Sequence, residues 1–139
     1  MATQTETTGR EALTVPGFAW DHPIPLGVKL GNLVISSIIP PQDPATGKTP
    51  TDVKRQVELL FIEMKGLIEN AGGTVDDIAR VTFLVRSKAE HRPLIDEEWN
   101  TMFGGSRTQP ARLVIEVSPQ GAPSVQAEFI AMLGERGGI

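Results

Sequence analysis

The sequence predicts an α+β domain: a mostly antiparallel sheet with two helices packed on one face. Three observations predict it. Short apolar runs separated by turn residues occupy both halves of the chain. One long stretch between residues 51 and 71 has apolar residues at helical period. The elements run strands, helix, strand, helix, strands, rather than as regular alternating βαβ units. At 139 residues the chain has the length of one domain. A domain of that size buries roughly 65–70% of its unfolded surface and needs no disulfide or metal staple.

Residues 1–10 hold four threonines and little apolar content, so they are expected to form a flexible tail. A domain over residues 11–133 and a frayed tail over 134–139 follow. Residues 12–15 read as a short strand closed by Pro16 and Gly17. Residues 26–30 and 33–39, separated by Gly31 and Asn32, read as a β-hairpin whose tight turn visits positive φ. Pro40 and Pro41 end its second strand, and residues 42–48 are rich in turn formers.

Thr51 is the expected cap of the first helix, with Asp52 in its first turn. Val53, Val57, Leu60, Phe61, Met64, Leu67, Ile68 and Ala71 form its apolar stripe, and Gly72-Gly73 stops it. Thr74 caps a short turn through Asp76 and Asp77, and residues 79–85 follow as a strand. A second helix is expected over 92–103, because Pro93 is tolerated in a first turn. Leu94, Ile95, Trp99, Met102 and Phe103 would supply its buried stripe. Two last strands, about 112–117 and 125–133, complete the domain.

Residues 81–85 and 113–115 are apolar at nearly consecutive positions rather than alternating. Such strands call for cover on both faces. Two helices cover one face of a five- or six-stranded sheet, so the other is expected to meet another subunit.

Composition excludes several function classes. Without cysteine there are no disulfides, thiolate nucleophiles, zinc–thiolate sites or iron–sulfur clusters. His22 and His91 alone leave little for a histidine-rich metal site, and no metal is expected. The 13 basic and 17 acidic residues give a net charge of −4, against the basic footprint that nucleic-acid binding requires. No apolar run approaches the roughly 20 residues of a membrane helix. No apolar signal segment follows the polar first ten residues, so a cytoplasmic protein is expected. Gly-x-Ser-x-Gly, Gly-x-Gly-x-x-Gly and phosphate-binding P-loop motifs are all missing from the sequence.

Arg112 is the most suggestive residue. It follows Pro110-Ala111 and opens an otherwise apolar strand. A guanidinium there needs a partner. Either it forms a salt bridge with Glu116, Glu128 or another subunit's acid, or it clamps a ligand carboxylate in its bidentate fork. Gln126 and Glu128, two apart on the last strand, share a face. They are either a solvent face or part of the cleft that Arg112 enters. Ser36 and Ser37 in the hairpin pose the same choice. Asp21-His22 could form an acid–base pair or an incidental loop, and His91 between Glu90 and Arg92 reads as a solvated helix start.

Several segments together resemble the RidA (YjgF) family of enamine/imine deaminases. They are 31–34 (Gly-Asn-Leu-Val), 43–47 (Asp-Pro-Ala-Thr-Gly), the helix from Gln56-Val57 to residues 69–72 (Glu-Asn-Ala-Gly), 76–82, 110–112 (Pro-Ala-Arg) and 125–131. The likeness spans residues 26–133 in family order. It implies a chorismate-mutase-like fold, a homotrimer and ligand clefts between subunits. It further implies that Arg112 holds the substrate carboxylate, that Ser37 lines the cleft, and that the backbone at Leu113 contacts substrate. The implied substrates are small 2-imino or 2-enamino carboxylates, hydrolysed to 2-keto acids and ammonia without a cofactor.

The sequence departs from the family pattern at particular positions. The family glutamate that positions the attacking water aligns with Gln126, and the next acid with Glu128. Glutamine orients a water but cannot take its proton. Ile24 stands where an aromatic residue is usual, Ser37-Ile38-Ile39 replaces Ser-Gly-Gln, Asp96 replaces an asparagine and Trp99 a tyrosine. The loop before Pro110 is about two residues longer than usual. Arg112, Gln126 and Glu128 are thus the candidate catalytic residues, and Arg112, Ser37, Leu113, Ile24 and Trp99 the candidate substrate contacts. The expected function is imine deamination. The alternative is a non-catalytic trimer that binds small keto acids or other carboxylates, and the acidic charge disfavours RNA cleavage.

Overall fold

Two helices lie across one face of a six-stranded sheet in the computed structural model, which describes residues 9–18, 23–117 and 123–134. The strands are β1 (Arg10–Leu13), β2 (Gly27–Leu30), β3 (Leu33–Ser36), β4 (Ile78–Val85), β5 (Ala111–Glu116) and β6 (Val125–Met132). The helices are α1 (Val53–Asn70) and α2 (Lys88–Phe103), with a 3₁₀ turn at Val75–Asp77. Spatial order is β1-β2-β3-β6-β4-β5, antiparallel throughout except that β5 runs parallel to β4. That one parallel pair follows from α2, which carries the chain back along the sheet between the two strands.

The hairpin forms as expected, with Leu30 opposite Leu33 around a two-residue turn. Only Gly31 takes positive φ (62°), the signature of a turn with glycine in its first central position. The second strand is shorter than expected. Its ladder ends at Ser36, whose hydroxyl accepts the Phe129 N–H at 2.8 Å, and pairing resumes only as a bridge from Ile39 to Ala127.

Helix α1 is capped by Asp52 rather than Thr51: the Asp52 carboxylate accepts the Lys54 N–H. Its other end closes as a Schellman motif, with Gly73 N–H bonded to Ile68 O, Gly72 N–H to Glu69 O, and Gly72 at φ 93°. Thr74 and Asp77 then form a reciprocal capping box around the 3₁₀ turn.

Helix α2 begins four residues earlier than expected. Ser87 caps it by accepting the Glu90 N–H, so Pro93 lies in the second turn, not the first. The ring deprives the Ala89 carbonyl of its helical donor, and Ala89 is exposed, which leaves that carbonyl open to solvent. His91 is buried rather than solvated. Its Nδ1 accepts the Ser87 N–H at 3.3 Å, which satisfies the backbone donor of the cap residue itself.

The core lies between sheet and helices. Phe83 in central β4 stacks on Phe61 of α1 at 5.7 Å and meets the edge of Trp99 of α2 at 6.2 Å, and Trp99 packs on Phe103 at 4.6 Å. Val34, Val81, Val85, Val125, Ala127 and Phe129 line the same sheet face and are buried. The opposite face has no helix. Leu30, Ile35, Leu113, Ile115 and Met132 project from it and are exposed, the arrangement expected of nearly continuous apolar strands. No helix among the described residues is long and apolar enough to cross a membrane.

Candidate functional site

Arg112 is the second residue of β5, an edge strand, and pairs in register with Val81 of β4. Alternation therefore sends its side chain to the helix-covered face, at the margin where α2 packs. There the guanidinium lies over the Trp99 ring, 5.1 Å from the centroid. Its Nη1 donates to Asp96 Oδ1 at 2.8 Å. Asp96 and Trp99 are three residues apart on α2 and so present adjacent side chains to the same cation. Trp99 Nε1–H donates to Gln109 Oε1 at 2.9 Å, tying the ring to the segment that leads into β5.

These groups bound an open cleft of about 440 Å³ lined by Asp96, Trp99, Asn100, Gln109, Pro110 and Arg112. Stacking on an aromatic face and one ion pair keep a partly buried guanidinium favourable. The acid that pairs with it is neither of the two sequence candidates. Glu116 accepts the Lys88 backbone N–H at 2.8 Å, and Glu128 projects from the opposite face of the sheet.

The remaining sequence candidates fall into two other places. Gln126 and Glu128 of β6 lie opposite Leu84 and Thr82 of β4 and share the helix-free face with Leu113. Ser37 Oγ donates to the Pro25 carbonyl at 2.9 Å, and its N–H donates to Leu26 O. Ile24, just before that segment, is 60% exposed. β3 is separated from β5 by β6 and β4, three interstrand spacings or about 14 Å. Within one chain, Ser37 and Arg112 therefore belong to well-separated parts of the sheet. Asp21 and His22 lie outside the described residues.

Asp96, Asn100 and Gln109 are cleft residues that sequence reasoning did not rank. Asp96 and Asn100 carried a signal: with Trp99, they fall one turn apart along one side of α2. Among the described residues no group of three or more His, Asp or Glu side chains is disposed to hold a metal ion.

An edge-strand arginine over a helix tryptophan, at the side of a sheet with one uncovered apolar face, defines a small α+β protein with an open cleft beside a partly buried guanidinium. Comparison with known proteins makes this specific. A family model described as endoribonuclease L-PSP matches residues 24–132. A RutC family protein of Pyrococcus abyssi is 30% identical over 107 residues, covering 73% of this chain and 82% of its own. The 2-iminobutanoate/2-iminopropanoate deaminase of Escherichia coli K12 is 33% identical over 93 residues, 66% of this chain and 72% of its own. The crystal structure of the Escherichia coli YjgF gene product superposes with a TM-score of 0.78 at 29% identity, covering 88% of this chain and 98% of that one. Escherichia coli TdcF with bound serine superposes with a TM-score of 0.77 at 26% identity, covering 89% and 100%. The chain belongs to the RidA (YjgF, RutC-type) family, as a divergent member.

Proposed function

We propose that this protein is an imine deaminase that hydrolyses small 2-imino carboxylates to 2-keto acids and ammonia, in a cleft completed by a neighbouring copy of the chain. The observation that carries the reading is the Arg112 guanidinium, stacked on Trp99 and facing an open cleft. The relative named as a 2-iminobutanoate/2-iminopropanoate deaminase supports the same chemistry.

The reaction asks little of the protein. The protonated imine carbon is already electrophilic, so the site needs to hold the carboxylate and admit a water to C2. Water adds to C2, a proton moves from oxygen to nitrogen, and the C–N bond breaks to release ammonium and leave the keto group. Arg112 would fix the carboxylate, with Trp99 as the floor beneath the guanidinium. Gln126, and Glu128 beside it, are the groups proposed to orient and deprotonate the water. They lie on the helix-free face and would have to come from a second subunit.

Two features favour an oligomer, and the family resemblance supplies the number three. The helix-free face exposes Ile35, Leu113, Ile115 and Met132, and burying them removes apolar surface from water. Ser37 and Arg112 sit on separate parts of the sheet, so a cleft using both is most simply built between subunits. Binding without turnover is the second reading, and Gln126 favours it, since an amide cannot serve as the base. The test is ammonia release from 2-iminobutanoate generated in the assay. Wild-type protein should accelerate it and Arg112→Ala should not. Calorimetric binding of 2-ketobutyrate with no acceleration would select the second reading.

A further inference from the structure

The two ends of the Arg112–Asp96 ion pair are held very differently. Arg112 is 20% exposed at its side chain and rests on a Trp99 ring that is itself buried against Phe83 and Phe103 and tied to Gln109. Asp96 is 48% exposed, and Arg112 is its one side-chain partner among the described residues. A half-exposed ion pair of this kind is weak and exchanges readily with solvent. A ligand carboxylate can therefore take the guanidinium by turning Asp96 aside, but the α2 backbone keeps the displaced acid at the rim of the same cleft.

That rim charge discriminates between ligands. A plain 2-keto acid brings one negative charge, places it near Asp96, and leaves Asp96 with no cation. A ligand with a cationic nitrogen on the carbon next to its carboxylate offers a partner to both: carboxylate to Arg112, nitrogen to Asp96. We propose that Asp96 makes this cleft selective for zwitterions, admitting the protonated imine and expelling the keto acid that replaces it. This rests on the deaminase reading of the cleft. The chemistry balances as R–C(=NH₂⁺)–COO⁻ + H₂O → R–CO–COO⁻ + NH₄⁺, so the positive charge that held Asp96 away leaves as ammonium. Asp96 then returns to Arg112 and displaces the product. It is a specificity-determining residue, and it forms no bond to the reacting carbon.

Alanine and pyruvate share a three-carbon skeleton and differ at C2, which makes them suitable probes. Calorimetry on the full chain should show wild type preferring alanine to pyruvate by about tenfold or more. Asp96→Asn should tighten pyruvate and weaken alanine, each by about tenfold, while Asp96→Glu should keep the wild-type order. Equal shifts of both ligands in Asp96→Asn, or no preference in wild type, would overturn the inference and leave the deaminase reading standing. Undiminished pyruvate binding by Arg112→Ala, or no binding of either probe to wild type and Asp96→Asn, would overturn the deaminase reading and this inference with it.

Discussion

Glu63 Oε1 accepts the backbone N–H of Gln42 at 3.0 Å, while Oε2 of the same carboxyl is buried with no partner. The side chain is 3% exposed, in the middle of α1, and anchors the segment that follows the hairpin. Burial pushes its pKa up to about 8, against a smaller downward pull from the Gln42 N–H. Folded protein therefore keeps the proton at pH values where the unfolded chain has lost it. Its stability falls by up to ~1.4 kcal/mol per pH unit between the ordinary carboxyl value and about 8, then levels off. Glu63→Gln keeps the acceptor and removes the titration. Thermal melts should show the variant gaining on wild type as pH rises from about 5 to about 9. Parallel curves would refute the buried-acid account.

On the proposed reading, Gln126 occupies the position from which a base would help. Gln126→Glu should raise imine hydrolysis by ~10²-fold if water activation limits the rate. Steady-state ammonia release checks this, and an unchanged rate would place the limiting step elsewhere.

Leu113 and Ile115 project from the face without helices. The double substitution Leu113→Asp, Ile115→Asp puts two charges where a subunit contact is proposed. Sedimentation should show wild type at the mass of three chains and the variant as single chains. Both behaving alike would remove that face from the interface.

Arg112→Lys keeps a charge but loses the planar fork and its stacking on Trp99. Keto-acid affinity should fall about tenfold, less than the loss in Arg112→Ala. Equal affinity in Lys and Ala variants would show that charge alone contributes nothing.

What the sequence made legible was local. Gly31-Asn32 set the hairpin turn, Gly72-Gly73 the end of α1, and Thr74 the cap of the turn that follows, because each signal acts within a few residues. The start of α2 was missed because a proline in an open helix costs most when its neighbours cannot compensate, and exposed Ala89 lets water do so. Burial of His91 was hidden by its charged neighbours: the ring turns inward to Ser87 while Glu90 and Arg92 face solvent. Arg112 stood out as a cation opening an apolar strand. Its partner did not, since Asp96 is sixteen positions away and only the packing of α2 beside β5 brings the two together. Strand alternation placed Gln126 and Glu128 on one face, but which face required the full strand order.

The most direct test is a crystal of the protein soaked with alanine. Density for its carboxylate against the Arg112 guanidinium, with its ammonium against Asp96, is the predicted result. An empty cleft with the Arg112–Asp96 pair intact at saturating alanine would contradict it.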